Sequence, residues 1–376
     1  MHAIRPTNPI RDQVLSLPAL IREQIWQVAA RTRKIITTPE IFSLRQIILT
    51  GSGDSHCAAM ASEMAFNELT GIPTFALSSM DASRYRAPYY DHQRPNYPLV
   101  IAISNSGEVA RVVEATKRFS AAGGLTLAIT GNPESRLGVE AQRTVLVSSP
   151  AFAPAPGVRS YIMSLLALYL LAIRFSEVLG RITMDQAQEM RKELEATASA
   201  TEQTITHLDT ALCELAREWA ALDNFEVLGS GPSKGSAAYG AAKLIEAAGS
   251  HALYQDVEEW AHLHYFVARA AQTGTLVIAP SQSLAVSRIT EVVRYLDTLQ
   301  RPYRVLTDGE SKPDQKSLHI PAHVREMFSP IVHAAPLALF AGYVADAQGR
   351  EYGRGSQGQW ADSANAMTVK NSAIED

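Results

Sequence analysis

Two cysteines in 376 residues, Cys57 and Cys213, exclude a disulfide framework and a cysteine-built metal site. They fit a reducing compartment, and a cytoplasmic protein is expected. Basic residues do not cluster and the net charge is −4. A nucleic-acid partner, which usually demands a basic stripe, is therefore not expected. No uninterrupted apolar run reaches the roughly 20 residues that a bilayer crossing needs. The most apolar stretch, Tyr161–Ile173, reads as a helix buried between layers, and no membrane contact is expected. Met1–Pro9 is short, polar and Pro-containing, unlike a secretory signal. A complete G-x-G-x-x-G is also missing, because Cys57 and Ala58 follow His56 after the Gly51-Ser-Gly53 turn. This disfavours a dinucleotide fold, and neither a cofactor nor a metal is expected.

What is present is a sequence that repeats itself. Residues 49–77 and 228–255 share a pattern in which Gly51 matches Gly229, Glu68 matches Glu246 and Gly71 matches Gly249, each at an offset of 178. A second stretch aligns at an offset of 177: Val100–Ser106 with Val277–Ser283, and Ile129-Thr130 with Leu306-Thr307. With 46% hydrophobic residues the chain can build a core in each copy.

Each copy reads as alternating strands and helices. Ile47–Leu49 stops at a glycine turn and runs into an Ala- and Met-rich helix ending at Gly71. Leu99–Ile103 leads into Ser104-Asn-Ser-Gly107 and a helix over 108–121. Leu125–Ile129 and Thr144–Val147 are further strands. Glu226–Leu228, Thr275–Ile278 and Tyr303–Leu306 repeat the plan. Short glycine turns between strand and helix imply an α/β class, with a mainly parallel sheet covered on both faces in a three-layer α/β/α sandwich. The expected divisions are a helical lead-in (1–39), a first domain (40–180), a helical connection (181–220), a second domain (221–350) and a tail (351–376). A polar tail of this kind commonly frays.

Ser104-Asn105-Ser106-Gly107-Glu108 is the stretch richest in chemistry. Hydroxyls and free backbone N–H groups at a strand-to-helix turn make a phosphate seat. The same hydroxyls would serve equally as an N-cap, and the residues alone leave both readings open.

The ordered motifs resemble the sugar isomerase (SIS) domain family, and more closely the two-SIS isomerase half of glucosamine-6-phosphate synthase. That family carries S-Q-S-G-E-T, here Ser104–Val109, and V-A-S before an apolar helix, here Val158-Arg-Ser160. Its second domain carries L-G-R-G, E-G-A-x-K-L-K-E, H-A-E and G-E-L-K-H-G-P. Here these read Leu228–Gly231, Tyr239–Glu246, His251–Leu253 and Glu258–His262. Glu246 and His262 are 16 apart, as in the family, and its terminal A-K-S-V-T-V-E corresponds to Val369–Glu375.

The resemblance implies a sugar 6-phosphate ligand held by Ser52, Ser55, Ser104, Asn105, Ser106, Glu108 and Ser160, with Gly53, Val158, Arg159 and Lys243 also lining the substrate. It implies Glu246 as the base between C1 and C2, His262 as the ring opener and Lys370, on a tail (351–376) that closes over the site, as the lysine at the sugar carbonyl. It also implies a homodimer with the site near the subunit interface. The departures are Val109 for the family threonine, Gly53 for a serine, Tyr239 for a glutamate, Leu263-His264 for Gly-Pro and Arg159 for a small residue. Met1 lies about 45 residues before the first strand, so the family's glutaminase domain is expected to be absent. Ammonia would then come from outside or not be needed. The expected activity is aldose–ketose isomerisation of a hexose or amino-sugar 6-phosphate, with ammonia release or uptake as an option. A fructosyl-amine 6-phosphate deglycase and a non-catalytic sugar-phosphate sensor are the alternatives.

Overall fold

The computed structural model describes residues 8–89, 97–152, 155–309, 316–352 and 369–375. The chain opens with α1 (Pro9–Leu15), α2 (Leu17–Ile35) and α3 (Thr38–Ser43). There follow β1 (Leu44–Gly51), α4 (Asp54–Thr70), β2 (Thr74–Ser78), β3 (Tyr97–Ile103), α5 (Ala110–Ala121), β4 (Leu125–Thr130), α6 (Arg136–Glu140) and β5 (Arg143–Leu146). Then come α7 (Arg159–Val178) and α8 (Met184–Glu218). The last part holds β6 (Asn224–Leu228), α9 (Pro232–Ala248), β7 (His251–Gln255), α10 (Val257–His262), β8 (Thr273–Ile278), α11 (Val286–Thr298), β9 (Tyr303–Thr307), β10 (Ser317–His319) and α12 (Ser329–Ala347).

Two compact units result, each with its own five-stranded sheet. One comprises residues 20–151, 159–195 and 356–376, and its strand order is β2-β1-β3-β4-β5. The other comprises residues 1–19, 152–158 and 196–355, with the order β7-β6-β8-β9-β10. Every strand pair is parallel. Both orders reverse direction after their first strand, which leaves a crevice at the carboxyl ends of β1 and β3, and of β6 and β8. Ligands of open α/β sheets bind at such switch points.

The α/β reading therefore holds, and the matched glycines have matched geometry. Gly53 (φ 56°, ψ −131°) starts α4 and Gly231 (φ 58°, ψ −135°) starts α9; both helices have 17 residues. Gly71 and Gly249 end them in the left-handed conformation. The strands that sequence reading passed over, β2, β7 and β10, are sheet edges of three to five residues. Such strands bury little and so carry a weak pattern.

Two expectations need correction. The apolar run at Tyr161 belongs to a 20-residue helix, α7, and a second helical stretch covers Glu326–Ala347. Both are long and apolar enough to cross a membrane by length and composition. Most of α7 and the apolar body of the second stretch are buried inside the protein, which explains their apolarity as core. α7 packs on α4, whose Ala58, Ala59, Ala61, Ser62 and Ala65 allow close approach. α12 packs on α9, where a Cβ at Gly240 would stand 3.0 Å from Leu337.

The second correction concerns the offset of 177 across the loop after β3. Gly51 pairs with Ile103, whereas in the other sheet Leu228 pairs with Val277, which sets Ile278 beside Gly229. Ile103 pairs with Ile129, and Ile278 with Leu306. Ile103 therefore corresponds to Ile278, and Ser106 (three residues on) to Ser281, not Ser283. The similar Ser-x-Ser strings are two residues out of structural register.

Non-glycine residues pay about 1–3 kcal/mol in such strained backbone. G53A and G231A should each lower stability by about that amount. Denaturant unfolding of the two variants checks it; an unchanged midpoint for either would contradict the backbone assignment.

Candidate functional site

In the first sheet the turns after β1 and β3 lie side by side. A Cβ on Gly51 would meet the Ile103 carbonyl at 3.0 Å. Neither α4 nor α5 has a side-chain N-cap bond, so Ser52, Ser55, Ser104 and Ser106 do not act as one. Ser52 Oγ bonds Ser79 Oγ at 2.6 Å. Ser104 is buried, and its Oγ accepts from Gly107 N at 3.1 Å. Ser106 Oγ accepts from Glu108 N at 3.3 Å, and the Asn105 carbonyl accepts from Gly131 N at 3.0 Å. Gly107 sits at φ 68°, where a Cβ would fall 1.8 Å from Ser135 Oγ, so only glycine closes this turn. Among the described residues no acceptor takes the Ser106 N–H.

The corresponding N–H in the second sheet is taken. Ser281 N donates to the Asp308 carboxylate at 2.6 Å. Asp308 stands two residues after Leu306; two residues after Ile129 stands Gly131. A Cβ there would meet Asn105 Oδ1 at 2.9 Å. One turn thus carries a built-in anion, while its counterpart has no carboxylate at that place. Asp308 and Gly131 had no part in the sequence reading, because their meaning depends on strand register.

Around the first turn Glu108 is held by Arg136, whose Nε donates to Oε2 at 2.8 Å. This bond, with the Arg136 N–H and the nearby Lys370 charge, keeps the Glu108 carboxyl below its usual range against the opposing effect of burial. Glu108 thus faces its own cation, and Lys370 lies on the same side. Arg136 also donates to the Lys370 carbonyl at 2.6 Å, and Ala110 N to the Val369 carbonyl at 2.8 Å. His56, in the first turn of α4, is pushed down by burial, opposed by the Asp81 charge. Ser160 lies in the first turn of α7 and is half-buried. Arg159 is buried, and Nη2 donates to the Pro150 carbonyl at 3.4 Å. Burial lowers its pKa, with the Glu23 charge opposing.

The other unit holds Val158, Lys243, Glu246 and His262. Val158 is buried, and its N–H donates to Gln13 Oε1 at 3.1 Å. The Lys243 side chain is fully buried and lies over the Tyr239 ring at 5.2 Å. Its ammonium donates to the Gly157 carbonyl at 3.2 Å and to the Glu246 carboxylate. Glu246 itself is 42% exposed, so a fixed buried cation orients an accessible carboxylate. Glu246 and Lys243 lie one turn apart on α9, and that spacing brings them together.

His262 ends α10, exposed, with Nε2 2.9 Å from Glu258 Oε1. Glu258 is drawn below the usual range, first by that bond and then by Arg288 at 2.6 Å. His262 and Glu246 have separate partners, and no hydrogen bond joins them. His264, two residues on, is a structural group. Its Nδ1 lies 3.4 Å from the buried Glu226, a carboxylate that accepts from Trp260 Nε1 at 2.8 Å and from Arg301 at 2.5 Å. Arg301 Nη2 donates to the His264 carbonyl at 3.1 Å. This buried network fixes α10 and so the place from which His262 projects.

No group of three or more His, Cys, Asp or Glu side chains is arranged for a metal among the described residues.

Residues 40–174 match the family model described as SIS domain. The chain is 25% identical over 352 residues, 90% of its length, to glutamine–fructose-6-phosphate aminotransferase (isomerizing) of Gloeobacter violaceus, and covers 55% of that relative. It spans about half the length of the curated relatives it matches. Its fold is that of the C-terminal domain of glucosamine-fructose-6-phosphate aminotransferase from Francisella tularensis (TM-score 0.80, 16% identity, 94% of this chain and 99% of that one). It is also similar to a glucosamine-6-phosphate deaminase from Thermotoga maritima (TM-score 0.63, 17% identity, 89% and 96%).

Removing one partner of a buried ion pair costs about 3–5 kcal/mol. Arg301→Met should destabilise by that order, and Glu226→Gln in the same chain should restore most of it. Chemical unfolding of both variants checks this. Equal stability of the single variant and wild type would show that the network does not hold α10.

Proposed function

We propose that this chain, a SIS-domain protein with two tandem α/β domains, is a sugar-phosphate enzyme of the isomerase type. The phosphate of a hexose or amino-sugar 6-phosphate lies at the turns after β1 and β3. The observation that carries this reading is the contrast between the two turns. The Asp308 carboxylate caps Ser281 N in one, while Ser106 N in the other is left for an external anion. A phosphate oxygen is the natural acceptor for such groups at a strand-to-helix switch point.

Glu246 is the base. It takes a proton from the carbon beside the open-chain carbonyl, giving an enediol, and returns it to the neighbouring carbon. Carbonyl and hydroxyl thereby exchange places, with no net change in atoms. A carboxylate does this when it is accessible and held in one orientation, and the buried Lys243 supplies that hold. His262, paired with Glu258, opens the sugar ring by moving a proton between the ring oxygen and the C1 or C2 hydroxyl. Lys370 acts at the carbonyl. For an amino-sugar substrate, water replaces the amine and ammonia leaves. The relatives' names, an isomerizing aminotransferase and a deaminase of amino-sugar phosphates, support this class of substrate. A homodimer follows from the family resemblance and is part of the proposal.

Incubation in heavy water with a panel including fructose 6-phosphate and glucosamine 6-phosphate tests the reading. Deuterium should enter at C1 or C2, or ammonia should be released. Glu246→Gln should reduce the rate by about 10²–10⁴-fold while sugar-phosphate affinity persists. Binding without exchange in wild type, unaltered by the substitution, would instead identify a sensor.

A further inference from the structure

The strongest unassigned feature is a buried carboxylate surrounded by arginines in the first unit. Glu114, on α5, is fully buried. Arg84 Nε donates to it at 3.0 Å, Arg111 bonds its other oxygen, and Arg118 lies 4.0 Å away. One acid cannot neutralise three guanidiniums. A second carboxylate and several acceptor groups come from residues 372–375. Glu375 pairs with Arg84 at 2.9 Å, and its carbonyl accepts from Arg118 Nε at 3.1 Å. Its N–H donates to Glu114 at 3.0 Å. Arg111 Nη2 donates to Ser372 Oγ at 3.3 Å and to the Ala373 carbonyl. Ile374 packs against the cluster of Ala102, Val112, Val113, Ala128 and Leu137. Burial alone would push the Glu114 carboxyl up. The Glu375 N–H and the arginines outweigh it and hold the carboxyl below its usual range.

We propose that Glu114, Arg84, Arg111 and Arg118 form a latch that seats residues 372–375 and so positions Lys370 beside Glu108. The latch is read from its contacts; its use to position Lys370 rests on the function proposed above. The seat reads mainly main-chain groups and one acidic side chain, so it fixes the path of the segment. Two further contacts hold the Lys370 end: Ala110 N to the Val369 carbonyl, and Arg136 to the Lys370 carbonyl. None of these latch residues acts on substrate directly.

Glu375 is exposed, so its substitutions test the latch without threatening the fold. Amide hydrogen exchange of residues 371–375 should speed up in the order wild type, Glu375→Gln, Glu375→Lys. The last, which brings a cation toward Arg84 and Arg118, should speed exchange by about tenfold or more. Exchange in β1–β5 should stay unchanged. Arg118→Ala should act in the same direction as Glu375→Gln. In turnover, Glu375→Lys should lower kcat by about tenfold with little change in KM. Added to Lys370→Ala it should cause no further loss, because both changes remove the same group. Unchanged tail exchange in Glu375→Lys would overturn the latch. Full additivity with Lys370→Ala would overturn its positioning role. If no sugar phosphate is turned over, the functional reading fails, while the exchange experiment still decides the latch.

Discussion

A backbone N–H left at the carboxyl end of a parallel sheet must find an acceptor, and the two halves of this chain meet that demand differently. Both use the same strand order and the same positive-φ glycine to turn from the first strand into a 17-residue helix. At the next turn they part. Asp308 satisfies Ser281 N from within the protein. Gly131 holds the matching place and packs against Asn105. The proposed division of labour follows. One half keeps a turn open to an external anion. The other keeps its turn closed and supplies Glu246, held by Lys243, and His262, held by Glu258.

The electrostatics of both halves follow one pattern: each candidate acid or base is steadied by an opposite charge or a hydrogen-bonding partner. The degree of burial then separates support from site. Lys243, Glu114, Glu226 and Arg301 are buried and satisfied by neighbours, so they hold position. Glu246 and His262 are exposed enough to meet a ligand. Buried charge of this kind contributes modest net stability but strongly penalises any arrangement that breaks the pairs.

Much of the fold was legible in the sequence, because strand, glycine turn and helix leave local marks. Gly51-Ser-Gly53 and Gly229-Ser-Gly231 announced their turns, and the apolar strands β1, β3, β4, β6, β8 and β9 stood out by composition. The edge strands β2, β7 and β10 did not, since a short edge carries a weak apolar pattern. The match of Ser104–Ser106 with Ser281–Ser283 misled, because string similarity ignores ladder register, which shifts the pair by two residues. Asp308 and the Glu114 cluster left no local signal. Their partners lie 27 residues away in one case and as many as 262 in the other. Residues 369–375 of a terminus that reads as frayed are held by those distant arginines, by Glu114 and by the packing of Ile374.

Calorimetric titration with fructose 6-phosphate, comparing Ser106→Ala with Ser281→Ala, tests the division between the two turns most directly. One equivalent should bind per chain, weakened by the first substitution and untouched by the second. Two equivalents, or a loss of binding caused by Ser281→Ala alone, would contradict the account.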